Sequence, residues 1–296
     1  LSRNSDTGGI AEEVSRTLRK AGFRVEFLSY PTSARSIDII ACRGDTRVFI
    51  KVSQDLKEVS WIEVNDLKKS GMVYGSNTII VAEKNGRQEL EDDVVYVRNG
   101  VNIVTTNLLG NYLLRNSKPI VVNIRGNYLL KISAEKFQVK MKETGLTRGE
   151  LAELLGVSRK AVYMYERGEL MVSLQRAVEL ARIMGEDIFE EIDILGDKPP
   201  EPHAGTLENE YSPSDEIEAT LWRLLNRLGD LIVKLSRTPV DIVAKGGNVI
   251  TVTRLDKAEN KAEKLENAEK LVKTTGSKLV VIRTKNDLKE IRDAHS

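Results

Sequence analysis

In "DIIACRGDTRVFIKVS", residues 38 to 53, Asp38 opens one apolar run and Lys51 lies near the end of the next. A turn between two such runs brings acid and base together, the raw material of metal-assisted or general acid–base chemistry. Two positions before the Lys, on the same strand face, stands Phe49, which carries no ligand atom. A later stretch, "DIVAKGGNVITVTRL" from 241 to 255, repeats the arrangement, with Asp241 at its head, Arg254 near its end and Val252 two positions before the Arg. Mg²⁺ needs a near-octahedral set of oxygens, so one carboxylate facing Phe or Val holds it poorly. No metal site and no cofactor are expected.

Other candidates for chemistry are thin. His203 and His295 have no partner nearby in sequence, and neither a glycine-rich phosphate loop nor a Gly-x-Ser-x-Gly elbow occurs. Cys42 is the one cysteine, which excludes an internal disulfide; at the end of an apolar run it reads as a small buried hydrophobe. With 296 residues, 41% hydrophobic and 30% charged, the chain suits two or three packed domains. Neither a membrane span nor a secretory leader is indicated. The net charge of +1 hides a block at 186 to 218 with twelve acids and one Lys, followed by sixteen bases against ten acids from 219 to 296. A neutral total therefore does not exclude nucleic acid as a partner.

The elements that must position these residues follow from periodicity. Ile10, Val14, Leu18 and Ala21 share one helical face, stopped by Gly22. Three strands, "RVEFLSY", "SIDIIAC" and "TRVFIKVS", come next, then a helix through Trp61, Val64, Leu67 and Met72, then the strand "NTIIVAE". That order predicts an α/β layer with a mixed sheet. A strand pair around Asn99-Gly100, a short helix "NLLGNYLLRN" and a hairpin at Arg125-Gly126-Asn127 lead into a helical stretch from 134 to about 195. A Pro-rich linker follows. Beyond it, Gly229, Leu235-Ser236 and Asp241 to Ala244 match Gly22, Leu28-Ser29 and Asp38 to Ala41. Aligned without a further gap, Val252 falls on Phe49 and Arg254 on Lys51, which predicts a duplicated α/β unit.

Within "TGLTRGELAELLGVSRKAVYMYERGELMVSLQRAVELARIMG", residues 144 to 185, Thr147 and Glu150 have capping-box spacing. Leu151, Leu154 and Leu155 are expected on the inner face of the first helix, Val162 and Tyr165 on that of the second, and Leu174, Val178, Ala181 and Met184 on that of the third. Gly156-Val157 makes the turn and Ser158 caps the second helix, so the segment predicts a helix-turn-helix. It resembles the Cro/repressor type, in "ELA", "LGVS" and "ERG" above all. The resemblance implies that helix 158 to 167 enters the major groove, with Ser158 at its head and Arg159, Lys160, Tyr163 and Met164 toward the bases. Arg148, at the start of the preceding helix, is assigned a phosphate. With nine bases and seven acids over 133 to 185, the module is only mildly basic, so a homodimer or help from its flanks is expected.

Residues 10 to 83 resemble the restriction-endonuclease-like fold, specifically archaeal Holliday junction resolvases, through "GF", "SAR", "DIIA" and the strand ending in Lys. The resemblance implies a metal held between Asp38 and an acid two residues before Lys51, which here is Phe49. A further helix acid of those enzymes falls near Ala11, beside Glu12 and Glu13. The second copy keeps Asp241, with Val252 and Arg254 at the other two positions. These six residues, Asp38, Phe49, Lys51, Asp241, Val252 and Arg254, are expected to be vestigial.

The whole arrangement resembles archaeal regulators with a Cro/repressor-type helix-turn-helix flanked by resolvase-like domains. The expected fold is α/β plus all-α: a central helix-turn-helix between two restriction-endonuclease-like domains with small mixed sheets. The expected divisions are 1–118 (degenerate α/β), 119–133 (β-hairpin connector), 134–195 (helix-turn-helix), 196–214 (acidic Pro-rich linker) and 215–296 (second degenerate α/β). The expected function is sequence-specific regulation of transcription by a non-enzymatic, cytoplasmic, nucleoid-associated homodimer on double-stranded DNA. The alternatives are a scaffold for DNA junctions, RNA or a ribonucleoprotein, and a residual nuclease.

Overall fold

The computed structural model describes residues 3–196, 213–227 and 231–288, with side chains from residue 7 onward. Most of the expected linker, Gly229, His203 and His295 lie outside the described residues. The chain forms two compact units: one takes residues to Glu89, 99–101 and 195 onward, and the other takes 90–98 and 102–194.

The first unit begins with α1 (Arg3–Lys20), β1 (Arg24–Phe27), β2 (Ile39–Arg43) and β3 (Thr46–Asp55), followed by α2 (Trp61–Tyr74), β4 (Asn77–Asn85) and β5 (Gln88–Glu89). Ile10, Val14 and Leu18 bury one stripe of α1. Gly22, with φ +86°, then takes a conformation that an L side chain resists, so the helix stops there. β1, β2 and β3 are antiparallel, and β3 runs parallel to β4 through the α2 crossover. α2 starts where Ser60 and Glu63 cap each other's backbone. Of its expected inner face, Val64 and Leu67 are buried, whereas Trp61 is exposed.

The same unit holds α8 (Glu216–Leu225), β11 (Leu231–Lys234), β12 (Ile242–Lys245), β13 (Val249–Arg254), α9 (Lys261–Thr275) and β14 (Lys278–Ile282). Strand order and directions repeat those of the first half: β11, β12 and β13 are antiparallel, and β13 is parallel to β14. Leu221 and Leu225 of α8 pack with Ile232, Ile242, Val252, Val280 and Ile282.

The hydrogen bonds of the two halves correct the expected alignment by one residue. Asp38 N donates to Ile50 O and Asp241 N to Val252 O, each at 2.9 Å. Val52 N donates to Asp38 Oδ2 and Arg254 N to Asp241 Oδ2. Val252 therefore stands at the place of Ile50, not Phe49, and Arg254 at that of Val52, not Lys51. Thr251 and Thr253 occupy the places of Phe49 and Lys51. The cause is a first hairpin one residue longer than the second. A one-residue slip moves every side chain to the other face, so burial holds each hairpin in the register that its own length allows.

The second unit contains β6 (Val94–Arg98), β7 (Val101–Val104), α3 (Thr106–Arg115), β8 (Val121–Ile124), β9 (Asn127–Leu130), α4 (Ala134–Thr144), α5 (Arg148–Leu154), α6 (Arg159–Glu166), β10 (Val172–Ser173) and α7 (Leu174–Met184). Its strands run in the order β7-β6-β8-β9-β10. The stretch after 134 is not helical throughout: β10 pairs with β9, and Ile132 bridges Phe189 after the helix ends at Gly185, φ +89°. Phe137, Leu151, Leu155, Val162, Tyr165, Leu180 and Met184 form the core of the helices. Two expected faces are corrected. Leu154 is 60% exposed, and on α7 it is Ala177, Leu180 and Met184 that face inward, leaving Leu174 42% and Val178 47% exposed. On α5 the buried stripe runs through Leu151, Ala152 and Leu155, and at 3.6 residues per turn Leu154 falls to one side of it.

Candidate nucleic-acid interface and the retained acid–base centres

Local sequence builds the helix pair. Thr147 Oγ1 accepts from Glu150 N at 3.2 Å, and Glu150 Oε2 accepts from Thr147 N at 2.7 Å, so α5 begins with a closed capping box. The Thr147 N–H, and after it the Thr147 hydroxyl, which donates to the same Oε2 at 2.7 Å, hold the Glu150 carboxyl below its usual range. Gly156, φ +61°, makes the turn, and Ser158 Oγ accepts from Ala161 N at 3.1 Å to cap α6. Val162 and Tyr165 are buried, which turns Arg159, Lys160 and Tyr163 outward and leaves Met164 half-buried.

The outer face has its own order. Tyr163 is 41% exposed, with the Arg148 guanidinium 5.3 Å and the Arg167 guanidinium 5.5 Å from its ring centre. Arg167 also donates to the Tyr163 hydroxyl at 3.0 Å. Arg148 Nε donates to Glu166 Oε2 at 2.6 Å. Arg159 folds against Gly149: a Cβ on that glycine would lie 3.1 Å from the guanidinium nitrogens. Gly149, Glu166 and Arg167 were missed from sequence. Arg167 follows Tyr163 by four residues and could have been found by helical spacing; the other two contacts join separate helices.

In the first half of the other unit, Asp38 is buried and fully engaged. Its Oδ2 accepts from Val52 N at 2.8 Å and lies 3.2 Å from Lys51 Nζ, while Oδ1 accepts from Arg35 Nε at 3.0 Å. Lys51 Nζ is equally 3.2 Å from Glu63 Oε1, and Glu63 Oε2 accepts from the backbone and hydroxyl of Ser60. Phe49 is fully buried, edge-on to Tyr74 at 5.7 Å. Glu12 and Glu13 are exposed. Glu63 thus brings a second carboxylate that sequence reasoning missed, but an ammonium already lies between the two acids.

The second half reaches a similar balance from different elements. Lys264 Nζ donates to Asp241 Oδ1 at 2.9 Å, to Oδ2 at 2.7 Å and to Arg254 O at 3.0 Å. Lys264 lies on α9 twelve residues before Gly276, as Glu63 lies on α2 twelve before Gly75. The ammonium comes from the strand in one half and from the helix in the other. Thr253, at the place of Lys51, donates its hydroxyl to Pro239 O, and Arg254 pairs on the other face with Asp215 and Asp256. Burial of Asp215 is outweighed by Lys257, the Glu218 N–H and Arg254, which hold its carboxyl well below the usual range. The residues at the metal-acid positions, Phe49 and Thr251, offer no carboxylate, so these centres do not fit Mg²⁺. Among the described residues no group of three or more His, Cys, Asp and Glu could hold a metal.

Each half also closes over the other. Asp66 Oδ2 of α2 accepts from Ser236 N and Arg237 N at 2.7 Å each. In return, Asn267 Oδ1 of α9 accepts from Ser29 N at 2.7 Å. Tyr30, next in that loop, places its ring 5.8 Å from Lys264 Nζ. α2 lies against β11 and β12, α9 lies against β2, and the Tyr74 and Thr251 hydroxyls share a hydrogen bond of 2.9 Å.

A capped helix pair with a basic outer face, joined in one chain to a nuclease-type α/β layer, defines a helix-turn-helix protein with a restriction-endonuclease-like domain. The family models agree: one for the PD-(D/E)XK superfamily domain matches residues 8–119, and one for the helix-turn-helix matches 139–190. The chain belongs to a family of archaeal proteins provisionally named HTH-type transcriptional regulatory proteins. A member from Aeropyrum pernix is 35% identical over 78% of this chain and 69% of its own length. Another from Pyrococcus furiosus is 32% identical over 78% and 71%, and one from Thermococcus kodakarensis is 29% identical over 96% and 92%. No solved structure is significantly similar to the chain. No helix among the described residues is long and apolar enough to cross a membrane.

Proposed function

We propose that the chain regulates transcription by binding double-stranded DNA sequence-specifically, with α6 in the major groove. The observation that carries this reading is the division of α6 into a core face, Val162 and Tyr165, and an outer face bearing Arg159, Lys160 and Tyr163. Arg159 swings off Gly149 to make a bidentate contact with guanine, and Lys160 reaches the same edge or a phosphate. Tyr163 and Met164 meet a thymine methyl. The capped N-termini at Thr147 and Ser158 face phosphates, joined by Arg148 once it leaves Glu166.

The same reading takes 134–195 as the DNA-binding module and 1–118 and 215–296 as degenerate halves without nuclease activity. The Lys51 ammonium between Asp38 and Glu63, and the Lys264 ammonium on Asp241, support the loss of chemistry. The protein acts as a homodimer at the nucleoid; the exposed Leu174 and Val178 on α7 support a second copy there. Selection of bound duplexes from a random pool tests the proposal. An enriched motif lost in Arg159→Ala is expected; equal retention of all duplexes, or preference for RNA, would favour the scaffold reading instead.

A further inference from the structure

The duplicated halves differ at one place that the DNA-binding role does not use. Beyond the carboxyl ends of the parallel strands β13 and β14, a cavity of about 260 Å³ is lined by Leu255, Lys261, Ala262, Leu265 and Arg283. Leu255 follows β13 directly, Arg283 follows β14, and Lys261 opens α9. Ligands of α/β folds are commonly held at the carboxyl edge of the sheet.

Two cations from separate elements thus border an apolar floor; of the acids around them, three are paired with other side chains, while Asp287 is held at the backbone of Arg283 and acts electrostatically on it. Glu263 accepts from Asn260, Asp256 holds Arg254, Glu216 holds Lys285, and the Asp287 carboxylate accepts the backbone N–H groups of Arg283 and Thr284. The first half provides an internal control. By the strand register and the C-cap glycines, Ser60, Trp61 and Ala82 stand where the second half has Lys261, Ala262 and Arg283. The two cations are therefore features of one copy, not of the duplicated fold.

We propose that this cavity binds a small organic anion, its carboxylate paired with Lys261 and Arg283 and its apolar part on Leu255, Ala262 and Leu265. Charge-assisted pairing gives the orientation, and the volume lies just below the roughly 300 Å³ at which drug-sized pockets begin. The site stands independently of the DNA-binding reading, because its test needs no DNA.

The test uses the full chain with labelled Leu and Ala methyl groups, titrated with benzoate, benzamide and inorganic phosphate. Benzoate is expected to shift the Leu255, Ala262 and Leu265 methyls saturably, with affinity at least about tenfold above benzamide, a gap of about 1.4 kcal/mol. The double variant Lys261→Gln, Arg283→Gln is expected to lose that gap. Ala262→Trp, which installs the residue found at the matching place in the first half, keeps both cations and is expected to abolish binding. Equal shifts with benzamide or with phosphate, no saturable shift with benzoate, or unchanged binding in Ala262→Trp would overturn the proposal.

Discussion

Asp66 and Asn267 occupy the same place in the two α/β halves, nine residues before the glycine that ends each helix, and each accepts backbone N–H groups from the loop of the other half. One position is an acid and the other its neutral isostere. The contact needs an acceptor oxygen, not a charge.

Asp66→Asn is therefore expected to leave thermal stability within about 1 kcal/mol of the parent, whereas Asp66→Ala, which orphans two N–H groups, costs about 1–3 kcal/mol. Burial pushes the Asp66 carboxyl up, against the opposing pull of the two N–H bonds. A raised acid binds its proton more tightly when folded, so its contribution to stability falls as pH rises from the unfolded value through the folded one. Asp66→Asn should flatten that part of the pH profile in chemical denaturation.

Lys51 stands 3.2 Å from both Asp38 and Glu63. Lys51→Met leaves two buried carboxylates facing each other, with an expected loss of about 3–5 kcal/mol, as for any buried pair broken on one side. Four-way junctions incubated with the parent protein in Mg²⁺ or Mn²⁺ are expected to remain intact. Cleavage that disappears in Asp38→Ala while the variant still folds would overturn the non-enzymatic reading.

Arg159→Ala is expected to cost about 1–3 kcal/mol on the selected DNA site and to relax preference at one base pair. Quantitative binding to a set of single-base variants of that site checks it. A uniform loss across the set would assign Arg159 to the backbone.

Glu166 holds Arg148 at 2.6 Å and so withholds it from phosphate. Glu166→Gln should raise affinity for all duplexes, and Arg148→Ala should lessen the salt dependence by about one counterion. An unchanged slope of binding against salt would show that Arg148 makes no phosphate contact.

Much of the DNA-binding module was legible because its determinants are local. The Thr147–Glu150 box, the Gly156 turn and the Ser158 cap each act within four residues, and Val162 and Tyr165 fall on the inner face by period alone. The faces of α5 and α7 were less legible: the expected stripes included Leu154, Leu174 and Val178, but the core selected only the neighbours that touch the other helices.

For the α/β halves, the sequence by itself determined the order of helix and strands and the Asp at the head of the second strand in each copy. Only the tertiary structure decided what meets that Asp. The one-residue difference in hairpin length is invisible to an ungapped match, but burial of a sheet face admits a single register, which puts Thr251 and Thr253, and not the expected Val252 and Arg254, at the places of Phe49 and Lys51. Lys264 could replace Lys51 because a helix packed across parallel strands can supply the same ammonium from a position 23 residues from Asp241. Likewise, Asp66 meets Ser236 across 170 residues of chain. No local pattern encodes such contacts; buried charge and unpaired N–H groups select them once the two halves pack together.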